Sequence, residues 1–160
     1  MCADAAFQAI LLAPCGKLGV RCTAAALTGV EFLPPDTPEQ PPRNALAAQV
    51  AAQLAAYFSA ADFAFDLPLA PGGTLHQNRV WQRMCAIPRG QALTYGELAR
   101  DIGSAPRAVG QACGNNPIPI VIPCHRVVGR AGLGGFMHHG DGYALEIKRW
   151  LLRHEGYLHD

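Results

Sequence analysis

Proline restricts this chain more than any other residue. Five prolines crowd residues 34–42 (Pro34, Pro35, Pro38, Pro41 and Pro42). Proline fixes its own backbone angle and has no amide hydrogen to give, so neither a helix nor a central strand can pass through such a stretch. The segment reads as a stiff polar connector. Pro117, Pro119 and Pro123 bracket a second region, the apolar run Ile118–Ile122, and keep it out of helix, so that it is expected to be extended.

Between these barriers the local signals are short-range. Phe7 to Ala13 reads as an apolar strand, Pro14-Cys15-Gly16-Lys17 as a turn, and Leu18 to Thr23 as the hairpin partner. Leu27 to Leu33 supplies a third strand. Asn44 can cap an alanine-rich helix to about Phe58. Thr74 and Gln77 stand at capping-box spacing before a helix through Val80, Trp81 and Met84. Thr94 and Glu97 repeat the pattern, with Tyr95 at the first helical position and Gly103 as the stop. Ser104 is the expected cap of the next helix, which has Pro106 in its first turn and ends at Gly114. Two short helices around a tight turn outline either a helix-turn-helix or an ordinary αα-corner. The last helix runs from about Tyr143 to His154, with Leu145, Trp150, Leu151 and Leu152 as its core residues.

Half of the 160 residues are hydrophobic and only 16% charged, which excludes intrinsic disorder and leaves room for one compact domain or two small lobes. Net charge is +1, but it is unevenly spread. Residues 1–75 carry three basic and six acidic side chains, residues 76–160 ten basic and six acidic, and all six histidines lie in the second part. A polyanion would prefer that part. The six cysteines form no C-x-x-C and no zinc-finger spacing, and Asp4 interrupts the N-terminal apolar stretch. A reducing cytoplasm, or a nucleus in a eukaryote, is the expected compartment. The charge-free stretch 44–61 holds Gln49, Gln53 and Ser59, so no membrane span is expected.

The chemistry concentrates at Pro123-Cys124-His125-Arg126-Val127-Val128. A buried inert thiol is the common fate of a cysteine. Against that, cationic neighbours favour the thiolate. In an extended chain adjacent side chains point to opposite faces, so His125 needs a turn or a bridging water to act on Cys124. Glu155 follows the last helix, where the helix dipole disfavours a negative charge. It is either a solvated carboxylate at a frayed end or the partner of a cation or imidazole, completing a relay of glutamate, histidine and thiol.

Ile122-Pro123-Cys124-His125-Arg126-Val127-Val128 resembles the active-site signature of the O6-alkylguanine-DNA alkyltransferases, the methylated-DNA–protein-cysteine methyltransferases. The resemblance continues in order through Gly73-Thr74-Leu75-His76-Gln77, Val80-Trp81, Ile87-Pro88-Arg89-Gly90, Thr94-Tyr95-Gly96-Glu97-Leu98-Ala99, Arg107-Ala108-Val109-Gly110, Asn116-Pro117-Ile118-Pro119 and Trp150-Leu151-Leu152 with His154-Glu155-Gly156. It covers about residues 60–157, with a weak match around Pro14 to Leu18.

The resemblance implies an N-terminal α/β lobe over 1–70, ribonuclease-H-like with a small antiparallel sheet. A mostly α lobe with a winged-helix-like helix-turn-helix would fill 71–160, with Cys124 near the junction. It implies a single-turnover transfer of an alkyl group from O6-alkylguanine, and from O4-alkylthymine, in double-stranded DNA to Cys124. His125 and Glu155 would be the activating relay, Asn116 would orient the histidine, and Tyr95 would hydrogen-bond the flipped base. Arg107 would fill the vacated stack, and Cys113 would line the pocket. The backbone at Cys124 and Val127 would read the guanine edge, and Arg126, with Arg100 and Arg130, would serve phosphate contacts. A monomer is expected, with no cofactor and no metal.

The chain departs from the family pattern at Phe136, where a tyrosine is usual, and in a longer segment over 137–142. His138, His139 and Asp141 make a poor ligand set, and the zinc that some relatives hold in the N-terminal domain is not carried over. Two other readings compete. A non-catalytic lesion-binding relative typically lacks the acceptor cysteine, and a thiol hydrolase built on Cys124, His125 and Glu155 would turn over.

Overall fold

A computed structural model describes residues 6–137 and 142–159. Asp4, His138, His139 and Asp141 lie outside the described residues. The chain divides into two compact units, Met1–Gly72 and Gly73–Asp160.

The first unit is a sheet with a helix on it. Strands β1 (Ala9–Ala13), β2 (Gly16–Cys22) and β3 (Leu27–Leu33) form an antiparallel sheet in the order β1-β2-β3. Gly16, at φ 120°, makes the tight return between the first two strands. Ala9 pairs with Val20 and Val20 with Val30, and the register shifts at Arg21/Cys22. Ala9, Leu18, Val20, Leu27 and Val30 are buried. Helix α1 (Ala45–Ser59) buries Leu46, Ala47, Val50, Leu54 and Tyr57, a stripe at helical spacing. Asn44 caps it by accepting from the Ala47 amide at 2.7 Å. The proline connector is tied down from the sheet. Lys17 Nζ donates to the Pro35 and Thr37 carbonyls at 2.9 and 2.7 Å.

In the second unit α2 (Leu75–Cys85) and α3 (Tyr95–Ile102) each begin with a complete capping box, Thr74 with Gln77 and Thr94 with Glu97. Two-residue strands β4 (Leu93–Thr94) and β5 (Val127–Val128) pair in parallel. Helices α4 (Pro106–Gly114) and α5 (Gly142–His154) complete the unit. Trp81 fixes α2 against α4 by donating from Nε1 to the Ala112 carbonyl at 2.9 Å. On α5, Ile147, Leu151 and Leu152 reach the core, whereas Leu145 and Trp150 are half-exposed and Trp150 stacks on His154.

Two local expectations are corrected. Ser104 does not cap α4. Ala105 holds the cap position without a side-chain bond, and Ser104 Oγ lies 2.7 Å from His76 Nε2. The Ser104 amide is engaged in closing α3, donating to the Ala99 carbonyl at 2.8 Å across left-handed Gly103 (φ 69°). Nor is the run Ile118–Ile122 extended. The Ile122 amide turns back to the Ile118 carbonyl at 2.9 Å, and Ile120 sits at φ 75°. All four apolar side chains of the run are buried, which a compact turn allows and an unpaired strand would not. A β-branched residue with positive φ is strained, and here that strain lies four residues before Cys124.

Among the described residues no helix is long and apolar enough to cross a membrane.

Candidate functional site

The turn that ends in Cys124 is organised by one side chain. Asn116, itself buried, accepts from the Ile118 amide at 3.0 Å and donates to the Ile122 carbonyl at 2.8 Å. That supplies the partners a neighbouring strand would have given. Cys124–Arg126 then forms one turn of 3-10 helix. The turn separates Cys124 and His125 in direction, so each meets different neighbours.

His125 points into the core. Its Nε2 lies 2.8 Å from Glu155 Oε2, and both side chains are fully buried. The same carboxylate takes a two-pronged contact from Arg126, Nε to Oε1 at 2.8 Å and Nη2 to Oε2 at 3.0 Å. Arg126 Nη1 donates to the Ile87 carbonyl at 2.6 Å. The misplaced charge at the end of α5 is thus answered by a cation and an imidazole. Because Nε2 faces a carboxylate, it carries the ring hydrogen. His125 Nδ1 is then the bare lone pair, and it has no hydrogen-bond partner among the described residues.

Cys124 opens on the other side into a cavity of about 70 Å³, lined in part by Tyr95, Gly110, Cys113, Gly135, Phe136 and Met137. Tyr95 comes from the first turn of α3, Cys113 from the last turn of α4, and Phe136 from the glycine-rich loop. Residues 75–157, more than half of the chain, match the family model described as 6-O-methylguanine DNA methyltransferase, DNA binding domain. The chain belongs to the 6-O-methylguanine DNA methyltransferase family.

Its similarity to curated members is high but partial. A methylated-DNA–protein-cysteine methyltransferase of Shigella flexneri is 53% identical over 96 residues, which cover 58% of this chain and 53% of that protein. One from Salmonella typhimurium is 51% identical over 111 residues, 66% of this chain and 61% of that protein. The chain therefore spans between half and two thirds of the length of these relatives. Solved members match further. The O6-methylguanine methyltransferase of Mycobacterium tuberculosis is 36% identical, with a TM-score of 0.78 over 92% of this chain and 90% of that one. The same organism's OGT, solved in complex with DNA, gives 0.76 over 92% and 91%.

In this methyltransferase-family site burial outweighs every other influence on the thiol. Burial pushes Cys124 up to about 11, although the Asn116 hydrogen bond and the Lys148 charge pull it down. Cys113 and Tyr95 are each pushed up to about 12, chiefly by burial. His125 is held below the ordinary imidazole range, again chiefly by burial. The resting site is therefore a neutral thiol, a neutral phenol and a neutral imidazole.

Of the residues expected at the site, Cys124, Tyr95 and Cys113 meet in the cavity, and His125 and Glu155 meet behind it. Asn116 bonds the thiol and the 118–122 turn rather than the imidazole. Val127 has its amide on the Cys124 carbonyl and its own carbonyl on Lys148. Arg107 is exposed near the start of α4. Arg126, expected to face phosphate, is instead bound within the fold, because a buried carboxylate needs its charge. Among the described residues no cluster of histidine, cysteine and carboxylates is arranged to hold a metal ion.

One residue escaped the sequence reading. Lys148 on α5 is fully buried and donates to three carbonyls, Val127 at 2.7 Å, Leu133 at 2.5 Å and Gly135 at 2.9 Å. It clamps the loop bearing Phe136 to β5 and puts a charge beside both cavity thiols. Burial pushes its own pKa down to about 8. Its place three and four residues before Leu151 and Leu152, on the apolar stripe, was the available signal.

Proposed function

We propose that this protein repairs alkylated DNA by moving the alkyl group of O6-alkylguanine, and of O4-alkylthymine, onto Cys124, once per molecule. The observation that carries the reading is the shared cavity. A nucleophilic sulfur and a neutral phenol face one small space, and a base with a bare nitrogen stands in the same turn as the sulfur.

The thiol proton leaves toward His125 Nδ1 by way of a bridging water, with Glu155 holding the imidazole in the right tautomer. Sulfur attacks the alkyl carbon, the carbon–O6 bond breaks, and its electron pair goes to the base. Tyr95, neutral at physiological pH, donates a hydrogen bond to the departing base. The proton taken by His125 is returned to the leaving base, so the base ends with the proton the thiol lost, the imidazole is neutral again, and the protein carries a thioether. Water has no easy route from a thioether back to a thiol, so the protein is consumed. The reaction as written needs no cofactor and no metal.

O6 cannot be reached inside a duplex, so the base must leave the stack, at a cost of a few kcal/mol. Arg107, exposed at the second residue of α4, is placed to fill the gap, and α3 with α4 acts as a helix-turn-helix of winged-helix type. Small residues at Ala108 and Gly110 permit close approach of α4 to DNA. Arg100 and Arg130 remain for phosphate contacts. Residues 1–70 form the N-terminal domain, of ribonuclease-H-like type, and 71–160 the DNA-binding and acceptor domain. The protein acts as a cytoplasmic monomer.

Excess duplex carrying labelled O6-methylguanine tests this. Label on protein should plateau at one equivalent and vanish in Cys124→Ser. Continued release of product would replace the reading with a turning-over hydrolase, and binding without transfer would replace it with a lesion-binding relative.

A further inference from the structure

We propose that Arg126 is a positioning residue for the transfer, which neutralises Glu155 in place and so keeps His125 an uncharged base with its lone pair on Nδ1. This rests on the function proposed above.

The charges of this buried cluster balance without the imidazole. Glu155 is a fully buried carboxylate, and both its oxygens are engaged by the Arg126 guanidinium. Two-pronged pairing of this kind is the strongest geometry available to the two groups. The pair sums to zero without the imidazole. A proton on His125 would leave one uncompensated positive charge in a buried cluster, with Lys148 of α5 close by. Without Arg126 the balance reverses. Glutamate and protonated histidine would then be the neutral pair, and the nitrogen meant to take the thiol proton would already hold one.

The other groups around the turn do not supply this control. Arg89 contributes a long contact of 3.5 Å, and it goes to the Glu155 main-chain oxygen. Cys85 of α2, Cys113 of α4, Tyr95 of α3 and Cys124 itself are all raised, chiefly by burial, and are neutral near pH 7. Lys148 opposes a charge on His125, and its three hydrogen bonds go to main-chain carbonyls rather than to the Glu155 carboxylate. Arg126 is further fixed by the Ile87 carbonyl, so its fork cannot turn outward without breaking three contacts.

The test follows the ring nitrogens of His125 by side-chain nitrogen NMR from acid to mildly alkaline pH, with alkyl transfer from O6-methylguanine DNA measured over the same range. In the unsubstituted protein His125 should stay neutral with hydrogen on Nε2. In Arg126→Met its titration midpoint should rise by about 1–3 pH units, and the acid limb of the transfer rate should move with it, activity recovering at alkaline pH. Combining Arg126→Met with Glu155→Gln removes both buried charges and should return the imidazole to neutrality, which a purely structural role of Arg126 would not do. Arg126→Lys, which keeps the charge, should leave the midpoint close to that of the unsubstituted protein. An unsubstituted His125 with hydrogen on Nδ1, or titrating in the ordinary histidine range, overturns the proposal whether or not any variant folds. So does an unmoved midpoint in Arg126→Met, or a rate lost equally at every pH. If the NMR pattern holds but the unsubstituted protein transfers nothing, the proposed function fails and Arg126 has no transfer to position.

Discussion

Replacing Lys148 by methionine separates what the buried lysine does for the thiol from what it does for the fold. Methionine keeps the unbranched apolar stem and loses the charge and all three donors. Bringing the ammonium from its ordinary 10.5 to about 8 corresponds to roughly 3 kcal/mol of penalty on the charged form, which the variant escapes. The carbonyls of Val127, Leu133 and Gly135 lose their donor, at about 1 kcal/mol each at the low end of such losses, or roughly 3 kcal/mol together. The two contributions nearly cancel, so global stability should change by less than about 2 kcal/mol. The thiol should respond far more. Lys148 lowers the Cys124 pKa, so its removal raises a value already near 11, and each pH unit removes about tenfold of the thiolate at a fixed pH. Alkylation of Cys124 by iodoacetamide, followed by peptide mass spectrometry, should slow by about tenfold or more. Urea denaturation should show a nearly unchanged midpoint. An unchanged alkylation rate would refute the electrostatic role, and a collapse in stability would refute the cancellation.

The remaining predictions test the pocket, the imidazole and the DNA contact. Gly134 sits at φ 74°, and a Cβ there would meet Tyr95 Cε2 and hydroxyl oxygen at 2.9 Å and the Gly129 nitrogen at 3.1 Å. Gly134→Ala should therefore cost about 1–2 kcal/mol in backbone strain alone and push Tyr95 out of the cavity; a thermal midpoint equal to that of the unsubstituted protein would contradict this. His125 is buried with its pKa held below the ordinary 6.5, so the unfolded chain takes up the proton first. Its share of stability is complete above that value and declines as pH falls through it, so urea midpoints should drop on acidification and His125→Gln should flatten the drop. A limb of equal steepness in the variant would assign it to other groups. Arg107→Ala should weaken transfer from duplex DNA more than reaction with a free benzylated guanine base, and equal losses would remove its role in flipping.

The parts of the fold legible in the sequence are those set by one local cause. Asn44, Thr74 with Gln77, Thr94 with Glu97, and Gly103 each act within a single turn, and each is found doing so. Glu155 was legible only as an alternative, a solvated carboxylate or the partner of a cation or imidazole, and the fold sets both His125 and Arg126 against it. Where a residue answers to two demands, local reasoning misassigns it. Ser104 has the composition of a cap but closes the preceding helix. The proline-flanked run 118–122 looks extended because its hydrogen-bond partner is the side chain of Asn116, which no periodicity reveals. Lys148 looks solvated because most lysines are, and only three main-chain carbonyls brought together by tertiary folding make its burial tolerable. Arg126 looks available to phosphate until Glu155 is seen against it.

Intact mass of the protein before and after exposure to duplex DNA bearing O6-methylguanine, with peptide mapping of the product, tests the central claim most directly. The account predicts a gain of one methyl in place of one hydrogen per chain, confined to Cys124 and unchanged by further substrate. A gain at Cys113 or any other side chain, or an unmodified protein that keeps consuming substrate, would contradict it.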